Sequence, residues 1–311
     1  MTRISVVITL FNKELYIKNC LDSVLSQTHS DIDIIIVDDG SSDDSVKKLD
    51  EYDDDRITLY RQKNKGVSTA RNVGIKKCSS NYVALIDADD EWLPNHLENL
   101  LHLVQTYPDA NFWVSGYRKS IETAKLSEKP IQKICLETYL DYRLDNTSIA
   151  WTSAVLLNKG IFNKTNGFMP GVSHGEDQAL WLEMCLHGFI GKSFLETAIY
   201  NIYDNSLSSK LVTCEEEDAC ILTIKKILDE NRVVSDQIKP KLMEFSNRYT
   251  LAHIVAALSL QQPSIAKRFL NLSHDTKIYR NRRRLLFMLW LVSLVTPYLV
   301  ARIIIAKSGR K

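Results

Sequence analysis

Ile4-Ser-Val-Val-Ile-Thr-Leu10 and Ile32-Asp-Ile-Ile-Ile-Val37 are the two runs whose reading decides the fold. Both are short, continuous and rich in β-branched residues, the pattern of a strand buried on both faces of a sheet. Between them, residues 13–27 carry Leu15, Ile17, Leu21, Val24 and Leu25 near helical spacing, which completes a strand–helix–strand unit. A strand at 57–60, a helix at 67–77 and a strand at 82–86 continue the alternation. The first hundred residues are therefore predicted to form a doubly wound, largely parallel sheet.

Working outward, the middle third is mixed. Strand-like runs lie at 112–116 and 154–157, and an amphipathic helix is predicted over about 177–186. Beyond residue 210 the pattern turns helical, with Thr213 and Glu216 spaced as a capping box and Pro263 placed for a first helical turn. The expected organisation is a domain over 1–210, with a nucleotide-binding half to about 110 and an acceptor half after it. A helical extension over 211–275 and a basic, apolar tail over 276–311 follow.

The 311 residues carry a formal net charge of +1, which gives no basis for nucleic-acid binding as the chain's function. The six cysteines show no paired spacing and read as reduced, structural thiols. The chain enters its first strand directly from Met-Thr-Arg, with no leader-like apolar segment, so a cytoplasmic location is expected.

In doubly wound sheets ligands sit beyond the carboxyl ends of the strands. Here those ends carry Thr9, Phe11 and Asn12 after the first strand, Asp38 and Asp39 after the second, and the run Val83-Ala-Leu-Ile-Asp-Ala-Asp-Asp-Glu-Trp92 after the fourth. The last is the most informative. Asp87, Asp89 and Asp90 repel one another and have no cation nearby in sequence, and a hard divalent ion bridging to phosphate is one solution. An acidic loop whose Asp residues cap the next helix is the other. Neither a Gly-rich dinucleotide loop nor a P-loop occurs, so neutralisation of a diphosphate would fall to such a metal, helped by Arg71.

The ordered set Ser5-Val-Val-Ile-Thr-Leu-Phe-Asn12, Ser26-Gln-Thr28, Val37-Asp-Asp-Gly-Ser-Ser42, Asn64-Lys-Gly-Val-Ser-Thr-Ala-Arg-Asn72, Asp87-Ala-Asp89 and Gly175-Glu-Asp177 resembles family 2 glycosyltransferases of the GT-A fold. The resemblance spans roughly residues 1–210. It implies an inverting, metal-assisted transfer, with Mn²⁺ or Mg²⁺, from a nucleotide-sugar donor, UDP favoured, to a hydroxyl of a glycan or lipid-linked acceptor. A bacterial surface polysaccharide such as an O-antigen, a capsule or a lipopolysaccharide is the implied product. Carried over by position, Thr9 and Phe11 contact the nucleoside, Asp39 accepts the pyrimidine N3 proton, Glu14 is a further donor-side candidate, and Arg71 lies along uridine and phosphate. Asp87 faces ribose or donor sugar, Asp89 binds the metal and Asp177 is the general base. Glu176, His174 and Trp181 are acceptor-side candidates.

Independently, such a displacement needs one carboxylate to take the acceptor proton and a Lewis acid to hold the leaving diphosphate. Asp177 also opens an apolar helix, where an N-cap is the competing reading. The chain departs from the family pattern after this helix. Where relatives carry Arg and His in Tyr-Arg-x-His, this chain has Tyr200-Asn201-Ile-Tyr203, so a cationic phosphate contact is expected to be missing. The QxxRW motif of processive synthases is absent, which favours single addition.

After Asp275 the chain holds Lys277, Arg280, Arg282, Arg283, Arg284, Arg302, Lys307, Arg310 and Lys311 and no acid. Residues 285–301 are nearly all apolar but slightly short of a comfortable span, with Pro297 placed to kink them. A shallow anchor on the inner face of the cell membrane is expected for 280–311, in preference to a span or a helix packed on the protein. Two other readings compete with the whole. A sugar-nucleotide nucleotidyltransferase would want a Gly-rich phosphate loop that is missing. A non-catalytic glycan-binding or membrane-complex scaffold would not need the complete set of Asp39, Asp87, Asp89 and Asp177.

Overall fold

The computed structural model describes residues 2–123, 129–145, 147–172, 175–202, 218–229, 234–276, 279–294, 296, 300–301 and 304. The chain divides into two compact units. The first comprises 1–139, 148–171 and 180–209, and the second 140–147, 172–179 and 210–311. Two short segments that the sequence assigns to the first domain thus group with the C-terminal residues, and the extension and tail share one unit.

In the first unit the chain runs β1 (Ile4–Leu10), α1 (Ile17–Leu25), β2 (Ile32–Asp38), β3 (Ile57–Arg61), α2 (Val67–Lys77), β4 (Tyr82–Asp87), β5 (Glu91–Trp92), α3 (His96–Thr106), β6 (Phe112–Lys119) and β7 (Gln132–Cys135). After α4 (Leu136–Leu144) come β8 (Val155–Asn158), α5 (Lys159–Phe162), α6 (Glu176–Cys185) and β9 (Phe189–Tyr200), with residues 140–144 of α4 and 176–179 of α6 grouped with the second unit. Among the described residues the strands form one sheet in the order β3-β2-β1-β4-β8-β6-β9-β5, with β7 beside β9. The first four positions are all parallel, as expected, and the far half mixes both directions.

Helices cover both faces because the buried strands are apolar on both. Ile4, Val6, Ile8 and Leu10 pack with Ile17, Leu21 and Val24 of α1 and with Leu97, Leu100 and Leu103 of α3 in one core. On the opposite face α2 crosses so closely that a Cβ on Gly74 would lie 2.3 Å from Val7 Cγ1, which only glycine tolerates.

β9, the longest strand, is not anticipated by the sequence pattern, nor is α3. Trp181, expected on the acceptor side, is fully buried in α6, stacked on Phe112 at 5.1 Å and edge-on to Phe168 at 6.0 Å. It is a core side chain with no face left for an acceptor. The five described cysteines are unpaired, and four of them are buried.

The second unit contains α7 (Ala219–Asp229), α8 (Ile238–Ser259), α9 (Pro263–Leu272) and α10 (Arg280–Ser293). Its core joins Leu251, Ile254 and Leu258 of α8 with Phe269 of α9, Leu286 of α10 and the more distal Val300 and Ile304. The apolar run 285–301 is therefore divided: α10 ends at Ser293, and part of the run is core. No helix of the described residues is long and apolar enough to cross a membrane. The capping box at Thr213 and Glu216, His174, Tyr203, Pro297 and Arg302 lie outside the described residues.

Candidate active site

Chain order sends β2 and β3 to one side of β1 and β4 to the other, so the sheet has a topological switch point between β1 and β4. Register then decides which side chains meet there. Thr9 pairs with Asp87 across β1 and β4, and Leu10 pairs with Asp38 across β1 and β2.

Asp87 is the centre of the arrangement. Thr9 Oγ1 donates to its Oδ1 at 2.9 Å, and one Arg71 nitrogen donates to both carboxylate oxygens at 2.9 Å. Arg71 is only 5% exposed and sits with its guanidinium 5.1 Å from the Phe168 ring centroid. Sequence reasoning places Arg71 along the donor. In the structure it pairs with Asp87, because α2 packs against β1 and brings Arg71 to the end of β4.

Asp89 pairs with Lys13 Nζ from the loop after β1. Asp90 is buried, and Ser153 Oγ donates to its Oδ2 at 2.6 Å. Burial first, then the charges of Asp87 and Asp89, push the Asp90 carboxyl well above the usual carboxylate range. Two unit charges about 4 Å apart interact by roughly 4 kcal/mol at an effective dielectric near 20, so three uncompensated carboxylates could not share this turn. The fold resolves the repulsion with Arg71 for Asp87, Lys13 for Asp89 and a favoured proton for Asp90.

The turn itself is clamped from two sides. Asp87 N donates to Ser153 Oγ at 3.1 Å. Asn201 donates through Nδ2 to Asp89 O at 2.9 Å and to Glu91 Oε1 at 3.0 Å. Lys13, Ser153 and Asn201 are the site residues that sequence reasoning misses. Lys13 alone leaves a signal, as the cation in the loop directly after β1.

Asp39 is buried and accepts three bonds: from Gln62 Nε2 at 2.7 Å, Lys65 N at 2.9 Å and Gly66 N at 2.8 Å. Gly66 holds φ +86°, a conformation that favours glycine, and it opens α2. A carboxylate has about four acceptor positions, so one remains. Glu14 bonds to the loop after β2. Its Oε2 accepts from Asp44 N at 2.9 Å, while its own N–H donates to Asp43 Oδ2 at 3.1 Å. Together with Ser42 N donating to Asn12 Oδ1 at 2.8 Å, these bonds clasp the loop after β1 to the loop after β2. Phe11, 40% exposed, projects from the clasped loop.

Among the described residues, no three His, Cys, Asp or Glu side chains converge as a self-sufficient metal cage. The hard carboxylate of Asp89 does fit a divalent ion of the kind that takes one or two protein oxygens and completes its shell from substrate phosphates and water.

In the second unit, Glu176 and Asp177 occupy the first turn of α6. The Asp177 carboxylate accepts from Gln178 N at 2.7 Å and Gln178 Nε2 at 3.1 Å, not from the N–H two or three residues on that an N-cap would take. Helix capping therefore does not account for this residue.

Comparison with known proteins bears on the whole arrangement. The family model "Glycosyl transferase family 2" matches residues 5–165. TuaG of Bacillus subtilis (strain 168), a putative teichuronic acid biosynthesis glycosyltransferase, is 32% identical over 210 residues, covering 66% of this chain and 81% of TuaG. WfaP of Escherichia coli, a UDP-Glc:alpha-D-GlcNAc-diphosphoundecaprenol beta-1,3-glucosyltransferase, is 27% identical over 215 residues, covering 67% of this chain and 81% of WfaP. Among solved structures, S. aureus TarS 1–349 in complex with UDP-GlcNAc superposes with a TM-score of 0.75 over 99% of this chain and 93% of that one, at 17% identity. The shared architecture is the GT-A fold.

Proposed function

The chain belongs to glycosyl transferase family 2 and is a glycosyltransferase, and from that premise we propose that it is an inverting, metal-assisted enzyme. It moves a sugar from a UDP-linked donor to a hydroxyl of a glycan or lipid-linked acceptor in surface-polysaccharide biosynthesis, working at the inner face of the cell membrane through residues 280–311. The observation that carries the donor half is that Thr9, Asp39, Asp87 and Asp89 all fall at or just beyond the carboxyl ends of the neighbouring strands β1, β2 and β4, with Thr9 bonded to Asp87. The UDP-GlcNAc bound to TarS, and the UDP-Glc donor and diphosphoundecaprenol acceptor of WfaP, support the choice of UDP and of a lipid-linked acceptor.

Each residue has a role in this reading. Phe11 and Thr9 meet the nucleoside, and the remaining acceptor position of Asp39 takes an N–H of the base. Asp87, held by Arg71, faces ribose or donor sugar, and Asp89 leaves Lys13 to hold a divalent ion, Mn²⁺ or Mg²⁺. When bound, that ion supplies positive charge for the leaving diphosphate. Asp177 takes the acceptor hydroxyl proton as the new acceptor oxygen–anomeric carbon bond forms and the anomeric carbon–phosphate oxygen bond breaks, which inverts the anomeric centre. Glu176, next to it in sequence, is the acceptor-side candidate among the described residues. Glu14 and Arg71 act through the residues they hold, not on the donor directly.

The test is nucleotide release from a panel of UDP-, GDP- and dTDP-sugars with lipid-linked acceptor, with and without chelator. UDP release that needs metal is expected from wild type. Asp177→Asn is expected to lose roughly 10²- to 10⁴-fold in rate with donor binding retained. An Asp177→Asn protein with wild-type turnover would exclude the assigned base, and a folded wild type silent across the panel would exclude the donor reading.

A further inference from the structure

The cations of the second unit are arranged differently from those around Asp87. Lys267 on α9 and Arg283 and Arg284 on α10 line a groove of about 570 Å³ together with Phe287, Met288 and Trp290, also of α10. No carboxylate pairs with these three cations among the described residues; Arg280, one turn earlier, is the one that reaches an acid, Asp275, at 3.1 Å. The groove is braced. Trp290 Nε1 donates to Pro263 O at 2.8 Å, which fixes its indole, and Lys267 Nζ stands 5.6 Å from that ring's centroid. Arg283 Nε donates to Ser273 Oγ at 2.7 Å, leaving its terminal donors unused among the described residues.

The groove continues into an exposed apolar surface. Leu285 (50% exposed), Met288 (63%) and Val292 (45%) follow one another at helical spacing on α10, beside Phe287 and Leu291. The opposite side of α10, Leu286 and Ser293, is buried against the unit's own core. α10 thus presents a cationic first turn and a solvent-facing apolar stripe, each lacking a partner within the described chain. A soluble anion would satisfy the charges and leave the stripe in water. An apolar protein groove would cover the stripe and leave the charges unpaired. An anionic lipid surface satisfies both, with headgroup phosphate at the level of the cations and acyl chains below.

We propose that the α9–α10 groove is a headgroup site for an anionic phospholipid, its phosphate seated on Lys267, Arg283 and Arg284 and its apolar part against Phe287, Met288 and Trp290. This rests on the reading of the enzyme as one that works at a membrane surface, and it narrows that reading from a basic tail to one groove on two helices. The stripe of Leu285, Met288 and Val292 enters the acyl boundary beside the bound lipid.

The test is co-sedimentation of the full chain with phosphatidylcholine vesicles, with or without phosphatidylglycerol. Two variants are compared with wild type: Lys267→Gln/Arg284→Gln, at exposed positions where folding is retained, and Leu285→Asn/Met288→Asn on the stripe. Thermal unfolding checks the fold of each. Wild type is expected to bind the phosphatidylglycerol vesicles only, and each variant to bind them at least about tenfold more weakly, with donor turnover on a soluble acceptor unchanged. If the charge variant binds like wild type while the stripe variant fails, the groove is overturned and membrane attachment stands. Wild type that ignores both kinds of vesicle overturns both. Thermal stabilisation by inorganic phosphate that needs Lys267 and Arg284, without vesicle binding, would make the occupant a soluble anion and overturn the lipid. A concentration-dependent dimer lost in the variants, again without vesicle binding, would do the same in favour of a second copy of the chain.

Discussion

The acidic turn after β4 and the basic groove on α9 and α10 handle like charge in opposite ways. Around Asp87 the fold supplies its own neutralisation, with Arg71 and Lys13 brought in from other elements and a proton favoured on Asp90. In the groove, Lys267, Arg283 and Arg284 stand without carboxylate partners among the described residues. The difference teaches where each region meets its ligand. In the proposed function, the self-compensated site exchanges one internal partner, Lys13, for an incoming ion and diphosphate. An uncompensated one is completed only by what binds it.

The largest expected effect comes from breaking the internal compensation. Arg71→Met leaves a partly buried Asp87 charge without its cation, and loss of one partner from a buried pair costs about 3–5 kcal/mol. Chemical denaturation should show that loss, and adding Asp87→Asn should recover much of it. A single variant as stable as wild type would mean that the acidic turn does not depend on Arg71.

A second effect sharpens the contrast between His96, a buried titratable group of the first unit that stays neutral, and the cations of the second unit that stand in water. His96 is fully buried, its Nδ1 2.8 Å from Thr197 Oγ1 and its ring stacked on Trp92, and burial pushes its pKa down to about 3. Between that value and the ordinary value near 6.5, the unfolded chain binds a proton that the native protein refuses. Stability is therefore fully present above pH 6.5 and falls as pH drops toward 3. From pH 7 to pH 5 this one group should remove about 2 kcal/mol. His96→Phe, followed over the same range, should lose correspondingly less; equal losses would show that His96 is protonated in the native state.

The smallest effect concerns Lys13. Its pair with Asp89 is partly exposed, so releasing it is worth less than about 1 kcal/mol. Lys13→Ala should raise the affinity for Mn²⁺ alone by no more than about fivefold, read by calorimetry. An unchanged or weaker affinity would show that Lys13 does not compete for Asp89.

What the sequence makes legible follows from how local each signal is. β1, β2 and the run into Asp87 are continuous apolar strands bounded by polar ends, and α2 falls on the expected residues 67–77. β9 is not legible because Lys192 and Ser193 interrupt its apolar run, and its partners β5, β6 and β7 are distant in sequence. The identities of Thr9, Asp87 and Asp89 can be read from motif order, yet the role of Arg71 cannot. It depends on α2 packing against β1 and on the register that sets Thr9 opposite Asp87. Trp181 misleads for a related reason: its place in an apolar helix says that it is buried somewhere, and only the packing of Phe112 and Phe168 shows where. In the tail, one apolar run proves to be two surfaces, because Leu286, Val300 and Ile304 join a core that the linear pattern does not reveal.

The donor site is tested most directly by titrating UDP into wild type and Asp89→Asn, each with Mn²⁺ and with chelator. Mn²⁺ is expected to tighten UDP binding to wild type by at least about tenfold, or 1.4 kcal/mol, and Asp89→Asn to lose this gain while still binding UDP weakly through Asp39. UDP binding of equal strength in all four titrations would contradict a donor site completed by a metal at Asp89.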